Sequence, residues 1–242
     1  MMTINVKNKQ FKQGVCLTCT SRDSLLCVGL SDEFLPELCC RSTQKQLRKG
    51  ETLFYEGDAA DHVFNVKSGF MRVARLGEDG RRHVLAFLGQ GDYLGHTNRP
   101  NYVYSAEALT DVQLCQFTRS SIDDLEENYP EFKKQFNRLT ACLLDEMTDL
   151  LFTIGRKNAI ERVASFLIYL RDKQKGKSQR FAEQIWLPMT RADIADFLGL
   201  TLETVSRAIS RLKREGLIMV DQAHQITILR PEALSALSRG AE

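Results

Sequence analysis

The sequence has no apolar stretch that could cross a membrane and no apolar segment near its beginning. None of its 242 residues lies in a run of roughly 18 or more apolar residues. The first residues, MMTINVKNKQFKQG, are polar and do not resemble a secretion signal. These absences predict a cytoplasmic protein without a membrane partner, and the length is sufficient for two compact domains.

Two residue patterns that would indicate an enzyme are also missing. Only four histidines occur, and His62, His83 and His96 are scattered, without the H-x-H spacing of a cupin-like metalloenzyme. The pattern shows no nucleophile beside a base. We therefore expect no enzyme, with a cupin-like metalloprotein as the less favoured alternative.

The sequence has little net charge, but its positive and negative residues are unevenly distributed. The net charge is +2, with 15 Lys/Arg against 10 Asp/Glu from residue 156 onward and 18 against 21 before it. A basic C-terminal third is mildly indicative of a polyanionic partner.

The sequence contains many cysteines for a protein expected in a reducing compartment. There are seven cysteines, an odd number, so metal or redox chemistry is a better explanation than disulfides. The segment CLTCTSRDSLLC places Cys16, Cys19 and Cys27 in a C-x2-C-x7-C spacing, which supplies three of the four sulfur ligands that a metal site usually has. The other cysteines are Cys39, Cys40, Cys115 and Cys142, and by themselves they are interpreted as packing residues. Cys39 or Cys40 could also compete as a ligand.

Short apolar blocks separated by glycine-containing turns run from about residue 44 to residue 118. Turns are indicated at Gly57-Asp58, Ser68-Gly69, Asp79-Gly80 and Gly91-Asp92. Many short strands at regular spacing predict an antiparallel β-roll or barrel.

A different periodicity follows the predicted strands. Apolar residues recur at steps of three or four over more than six turns, which predicts one long amphipathic helix. We interpret its apolar stripe as a dimer interface, with packing along the chain's own roll as the alternative. The interface residues are Phe136, Leu139, Leu143, Met147, Leu150 and Ile154.

The segment TRADIADFLGLTLETVSRAISRLKREGLI predicts a helix-turn-helix. Gly199 falls where the turn needs a left-handed backbone, and Thr190 and Thr201 fall where the two helices need N-terminal caps. The following segments GLIMV and QITIL predict a β-hairpin wing.

The second of these helices would lie in the major groove of double-stranded DNA. Arg207 can donate to guanine and Glu203 can accept from cytosine. Ser206 faces the bases with them. Contacts to the sugar–phosphate backbone, which position without reading sequence, are predicted for Arg191, Thr201, Thr204, Arg211 and Lys213.

The order of β-roll, long helix and winged helix-turn-helix resembles the CRP/FNR family of bacterial transcription regulators. The resemblance extends from Gln44 to Leu229 and includes the glycines of FYEGDAADHVFNVKSGFMRV and LGQGDYLG. It implies an α+β protein with an antiparallel β-roll like a cyclic-nucleotide-binding jelly roll. The implied domains are an N-terminal arm with the cysteines (1–43), a β-roll sensor (44–118), a dimerisation helix (119–155) and a winged helix-turn-helix (156–242).

The segment LETVSR is similar to the E-x-x-S-R motif of the FNR branch, which implies base readout by Glu203, Ser206 and Arg207 at palindromes with TTGAT-like half-sites. Cyclic nucleotides are not expected. Tyr102 stands where nucleotide-binding members have an arginine, and His96 stands where they have a glutamate.

The resemblance to FNR-type oxygen sensors implies an oxygen-labile [4Fe–4S] cluster held by Cys16, Cys19, Cys27 and Cys115. It further implies a homodimeric activator that binds DNA at low oxygen. The turn containing Glu78, Asp79 and Arg81 corresponds to a family loop that touches RNA polymerase. Haem, nitric oxide, thiol oxidation or zinc remain alternative effectors in the same family.

Overall fold

Eight strands and one short helix form the N-terminal part of the protein. The computed structural model describes residues 19, 26–174, 183–221 and 224–240. Helix α1 (Leu35–Cys40) precedes the strands. The strands are β1 (Ser42–Leu47), β2 (Thr52–Phe54), β3 (His62–Ser68), β4 (Met71–Leu76), β5 (Arg82–Leu88), β6 (Tyr93–Leu94), β7 (Ser105–Ala108) and β8 (Val112–Thr118).

The strands form two antiparallel four-stranded sheets that face each other as a roll. Their orders are β1-β8-β3-β6 and β2-β7-β4-β5. Along β8 the side chains alternate, so that Val112 and Leu114 lie in the roll interior while Cys115 and Phe117 face outward, toward α1 and the helices that follow. The predicted antiparallel roll is confirmed, and its β8 strand is covered on both faces.

Two helices, not one, follow the roll. Helix α2 (Arg119–Asn128) ends before Tyr129, and α3 (Pro130–Arg156) begins directly after it. A residue before proline is disfavoured in the α conformation, and Tyr129 is extended with φ −127° and ψ 98°. Proline is well tolerated at the first position of a helix, so α3 starts there. The prediction of one helix over 119–155 is corrected at this point.

The C-terminal domain has helices around a small sheet. It contains α4 (Ala159–Gln174), β9 (Gln184–Trp186), α5 (Arg191–Leu198), α6 (Leu202–Arg214), β10 (Ile218–Val220), β11 (Gln225–Ile228) and α7 (Pro231–Ser238). Strands β10 and β11 pair in antiparallel fashion, which confirms the predicted hairpin wing. The sheet order is β10-β11-β9, and neither β9 nor α7 was expected from the sequence.

Three groups of buried apolar residues hold these parts together. The roll cluster fills the space between the two sheets. The arm cluster joins residues 26–38 to the outer face of β8 and to α2 and α3. The C-terminal cluster contains the core of the winged helix-turn-helix together with Val84, Phe87 and Leu109 of the roll. None of the described helices is long and apolar enough to span a membrane.

Candidate functional site

Helices α5 and α6 form the predicted helix-turn-helix. Gly199 ends α5 in the left-handed region (φ 63°, ψ 40°), and its N–H donates to the carbonyl of Ala195. This conformation is easy for glycine because it has no Cβ, so the predicted role of Gly199 is confirmed.

Side-chain caps begin both helices where the sequence predicted them. The Thr190 hydroxyl accepts from the Asp193 N–H, and the Asp193 carboxylate accepts from the Thr190 N–H, which makes a capping box. Thr201 caps α6 by accepting from the Thr204 N–H, at 3.2 Å. These caps fix the angle at which α6 leaves the turn.

One face of α6 is buried and the other is polar and accessible. The face toward α5 and α4 buries Val205, Ala208, Ile209 and Leu212. On the opposite face Glu203 and Arg207 are exposed, and Ser206 is half-buried between them. The Arg191 guanidinium reaches across from α5 and donates to the Ser206 hydroxyl at 3.4 Å. The three residues predicted to read bases therefore share one accessible surface, with Arg191 at its edge.

Positive charge continues along the accessible surface toward the end of α6. Arg211, Lys213 and Arg214 are exposed there. Arg211 donates to the Glu215 carboxylate at 2.7 Å, a surface ion pair that contributes little to stability and that a phosphate can replace. Their placement suits contacts with the DNA backbone.

The sequence prediction did not include Leu202, the first residue of α6. Its side chain is 52% exposed although it is large and apolar. It stands between Thr201 and Glu203 in the first turn of the helix predicted to enter the major groove, where an apolar side chain can contact a thymine methyl group. The sequence did contain a signal for Leu202, because it is an apolar residue in the first turn of a helix face that is otherwise polar.

Three of the four predicted cluster ligands lie among the described residues. Cys115 is in the middle of β8, and both Cys27 and Cys115 pack against the arm cluster. Burial and the neighbouring thiols of Cys19 and Cys27 raise the pKa of Cys115 to about 11, with a smaller contribution from Cys39. Cys16 lies outside the described residues.

Polar groups surround Cys115 on the covered face of its sheet. Asn65 is directly opposite Cys115 across the β3–β8 ladder, and Tyr93 is directly opposite Asn65 on β6. Directly opposed side chains share a face and lie about 5 Å apart at Cβ. The Asn65 Oδ1 and the Tyr93 hydroxyl are buried and find no hydrogen-bond partner in the described part of the chain. Cys115, Asn65 and Tyr93 thus form a row of polar side chains on the face of the sheet that the arm cluster covers.

The donor set at this place fits an iron–sulfur cluster or zinc. Across residues 19, 26–174, 183–221 and 224–240, no three His, Cys, Asp or Glu side chains are already arranged as a metal site. Thiolate sulfurs nevertheless suit iron–sulfur clusters and zinc rather than magnesium or calcium. Cys40, interpreted as a packing residue, is instead exposed, and its thiol donates to the Glu37 carbonyl.

Aromatic side chains fill the interior of the roll. The rings of Phe54 and Tyr102 stack with centroids 3.7 Å apart, and the Tyr102 hydroxyl donates to the His62 carbonyl at 2.7 Å. The Tyr104 hydroxyl accepts from the Gly95 N–H at 2.9 Å. His96 packs against Phe136 of α3, and burial lowers its pKa. Tyr102 thus places a neutral ring, and not a cation, in the roll interior.

The exposed face of α3 differs from the predicted dimer stripe. Phe136 and Leu139 are buried within the chain's own arm cluster, where Tyr93 and His96 of the roll pack against Phe136. Leu143, Leu150 and Ile154 are half-buried, and only Met147 of the predicted set is strongly exposed. Large apolar side chains on the accessible side are Leu144, Met147, Leu151 and Phe152. The stripe available to a partner is therefore rotated relative to the predicted one, and the assignment of Phe136 and Leu139 to it is wrong.

The β4–β5 turn projects from the roll. Arg81 donates to the Asp79 carboxylate at 2.6 Å, and hydrogen bonds from Arg81 lower the pKa of Asp79. Glu78 is exposed beside them, as is the apolar side chain of Leu76. All three residues predicted to touch RNA polymerase are thus accessible.

A winged helix-turn-helix with an accessible polar face on α6, joined to a β-roll by a long helix, defines a DNA-binding transcription regulator. The comparisons with known proteins agree. Residues 161–237 match the Crp-like helix-turn-helix domain, and residues 44–129 match the cyclic nucleotide-binding domain.

The chain belongs to the CRP/FNR family. It is 35% identical over 226 residues to the nitrogen fixation regulation protein FixK of Bradyrhizobium diazoefficiens, covering 92% of this chain and 93% of the relative. It is 31% identical to the transcriptional activator protein FnrL of Cereibacter sphaeroides, covering 88% and 87%. The structure of FixK2 from Bradyrhizobium japonicum is similar with a TM-score of 0.75 and 35% identity, covering 81% of this chain and 96% of that one. The predicted family and fold class are confirmed.

Proposed function

We propose that this regulator senses oxygen through a [4Fe–4S] cluster and binds palindromic, TTGAT-like sites as a homodimer when oxygen is low. The cluster ligands are Cys16, Cys19, Cys27 and Cys115. We further propose that it activates transcription, through contacts of the β4–β5 turn with RNA polymerase. We further propose that the protein acts in the cytoplasm, because that is where a bacterial regulator meets DNA.

The position of Cys115 carries this proposal. Cys27 and Cys115 contact the same arm cluster that buries Phe132, Phe136 and Leu139 of α3. The thiols are therefore next to the helix whose second half is exposed for a partner subunit. A change in how the arm packs must change the packing of α3, because close-packed interiors transmit small shifts.

Polar contacts also tie the arm to α2 and α3. Ser31 donates to the Glu131 carboxylate through its backbone N–H and its hydroxyl. The Phe34 ring lies 5.1 Å from that of Tyr129, between centroids. The arm is thus held on α3 by contacts that weaken if its residues are no longer anchored.

Binding a cluster requires deprotonated thiols, since the thiolate is the ligand. When bound, a [4Fe–4S] group supplies iron and sulfide chemistry that oxygen can alter. Cys115 with a pKa of about 11 holds its proton at neutral pH until a cation displaces it. Asn65 and Tyr93 border the same place, where their polar atoms can face the group.

The absence of a cyclic-nucleotide effector is part of this proposal. The stacked pair of Phe54 and Tyr102 occupies roll interior that a nucleotide would need. A phosphate there would meet a neutral phenol whose proton is already committed to the His62 carbonyl. A buried phosphate without a cationic partner is costly.

An anaerobic absorption spectrum with iron and sulfide assays tests the proposal. Anaerobically purified protein should be brown, contain iron and sulfide, and lose its broad visible band when air is admitted. Cys115→Ala should be colourless. Cys142→Ala is the matched control and should stay brown, because Cys142 lies on α3 and is not among the proposed ligands.

Two other results would each contradict the cluster. A colourless protein with one zinc per chain would assign the four thiolates to zinc. A protein free of metal that binds palindromic DNA equally well with and without oxygen would leave the regulator without this sensor.

A further inference from the structure

The C-terminal domain is docked on the roll through a mixed apolar and ionic junction. In its centre, Phe87 of β5 contacts Phe166 of α4 and Phe197 of α5, with ring centroids 5.9 and 5.3 Å apart. Val84, Phe87 and Leu109 of the roll are buried in the same cluster as the helix-turn-helix core. The first helix of the motif, α5, thus rests on the β4–β5 hairpin.

Two arginines of that hairpin hold one carboxylate of α5. Asp193 Oδ1 accepts from Arg72 Nη1 and from Arg82 Nη2, each at 2.6 Å. The Asp193 side chain is 2% exposed. Arg82 also binds Asp196 Oδ2 through Nε and Nη2, at 3.0 and 2.7 Å. A buried carboxylate is costly without cationic partners, so removing either arginine would leave the charge of Asp193 poorly compensated.

The same carboxylate determines how α5 begins. Its other oxygen, Oδ2, accepts from the backbone N–H and the hydroxyl of Thr190, at 2.9 and 2.7 Å. Asp193 therefore links the cap of the first helix of the motif directly to the sensor roll.

A second ionic contact lies elsewhere in the junction. The Lys173 ammonium at the end of α4 is 2.8 Å from Asp92 of the roll and 3.3 Å from Glu146 of α3. The domain is consequently attached at two separated places, which fixes its orientation and not only its position. Glu203 and Arg207 of α6 remain exposed in this arrangement.

We propose that Arg72 and Arg82 are positioning residues for DNA binding. Their ion pairs with α5 hold the recognition helix α6 at a fixed orientation relative to α3. In a dimer this also fixes its orientation relative to the recognition helix of the second subunit. A palindromic site requires two recognition helices one DNA turn apart, so a docked domain presents both at once while an undocked one does not. This inference rests on the proposed homodimer, but not on the nature of the effector.

The test compares a full palindrome with a single half-site. The variants are Arg82→Gln, Asp196→Asn and the double variant, in the full-length dimer. Arg75→Gln is the matched control, because Arg75 lies on the same hairpin and pairs with Glu56 of the roll, not with α5. Affinity for each DNA is measured by fluorescence anisotropy, dimerisation by sedimentation velocity and folding by circular dichroism.

We expect Arg82→Gln to weaken full-site binding while half-site binding stays at the wild-type value, since one recognition helix needs no alignment with another. If the dimers with both domains docked fall to a tenth of the population, full-site affinity falls about tenfold. Asp196→Asn should act in the same direction, and the double variant should be less impaired than the sum of the singles predicts. Arg75→Gln should bind both DNAs as the wild type does.

Three results would overturn the inference. Equal losses on full and half-sites would assign Arg82 to the fold of the domain. Tighter full-site binding by Arg82→Gln would mean that docking holds the domain away from DNA. A wild-type protein that is monomeric and has no preference for the full site would refute the homodimer, and this inference with it.

Discussion

At the scale of single residues, the accessible face of α6 separates the residues predicted to read bases from those predicted to contact phosphates. Glu203 and Arg207 stand in the first turns of the helix, whereas Lys213 stands near its end. Arginine forms two parallel hydrogen bonds to guanine, which a lysine of the same charge does not reproduce. Charge and specificity can therefore be tested independently.

Arg207→Lys should reduce specific binding and spare non-specific binding. We expect a loss of about 1–3 kcal/mol per half-site on the palindrome, with affinity for unrelated DNA unchanged because the charge is kept. Anisotropy titrations on both DNAs measure this.

The control for that experiment is Lys213→Gln. It should weaken binding to both DNAs alike and reduce the slope of log affinity against log salt by about 1. If Arg207→Lys lowered both affinities equally, Arg207 would be a phosphate contact and the base assignment would fail.

At the scale of elements, α3 divides along its length into two apolar parts with different neighbours. Phe132, Phe136 and Leu139 face the arm and the roll. Leu144, Met147 and Leu151 face outward at helical spacing, which one chain leaves uncovered. The first half of the helix thus packs against the arm, and its second half offers apolar side chains to the proposed partner subunit.

Leu151→Glu should dissociate the dimer without unfolding the chain. Its side chain is 73% exposed, so a charge there costs the monomer little but places two carboxylates close together in a symmetric pair of helices. Sedimentation velocity should show a monomer, and circular dichroism should show that it keeps the wild-type secondary structure.

The comparison variant is Leu139→Ala, at a position with 0% exposure. It should lower the free energy of unfolding by about 2–5 kcal/mol, the usual cost of removing a large buried side chain. A Leu151→Glu protein that remains dimeric would show that another surface joins the subunits.

At the scale of the whole molecule, the parts predicted as separate domains are joined by buried residues. The core of the C-terminal domain includes three residues of the roll, and the arm shares a core with α3. The junction therefore shares a buried core with the recognition helix, and the thiols share a separate one with α3.

The junction should also respond to acid. Burial raises the pKa of Asp193, but hydrogen bonds from Thr190 and the charges of Arg72 and Arg82 outweigh it, so the pKa lies below the ordinary value of 3.8. A carboxyl with a lowered pKa in the folded state contributes stability above its unfolded pKa and loses it as pH falls through the folded value.

Asp193→Asn should accordingly be less stable than the wild type at neutral pH, by about 2–4 kcal/mol. The difference should shrink below about pH 4. Urea denaturation followed by tryptophan fluorescence checks this, since Trp186 lies at the junction against Phe70. A difference that is constant with pH would contradict an ionised Asp193.

Much of this architecture was predictable because it depends on local patterns. Glycine at the turn of the helix-turn-helix, threonines at the caps and the two-residue alternation of the strands each act through neighbouring backbone atoms. The break at Tyr129 was also in the sequence, as a residue before proline, but the continuous apolar periodicity across it obscured the boundary.

What the sequence did not determine is which side of an amphipathic surface meets which neighbour. The periodicity of α3 correctly indicates a long amphipathic helix, yet Phe136 and Leu139 are covered by the arm because residues far away in the chain fold over them. The partnership of Asp193 with Arg72 and Arg82 spans 121 and 111 positions. Local patterns determine elements, since their hydrogen bonds and caps are local, whereas the shared cores and buried ion pairs exist only when the tertiary structure brings distant residues together.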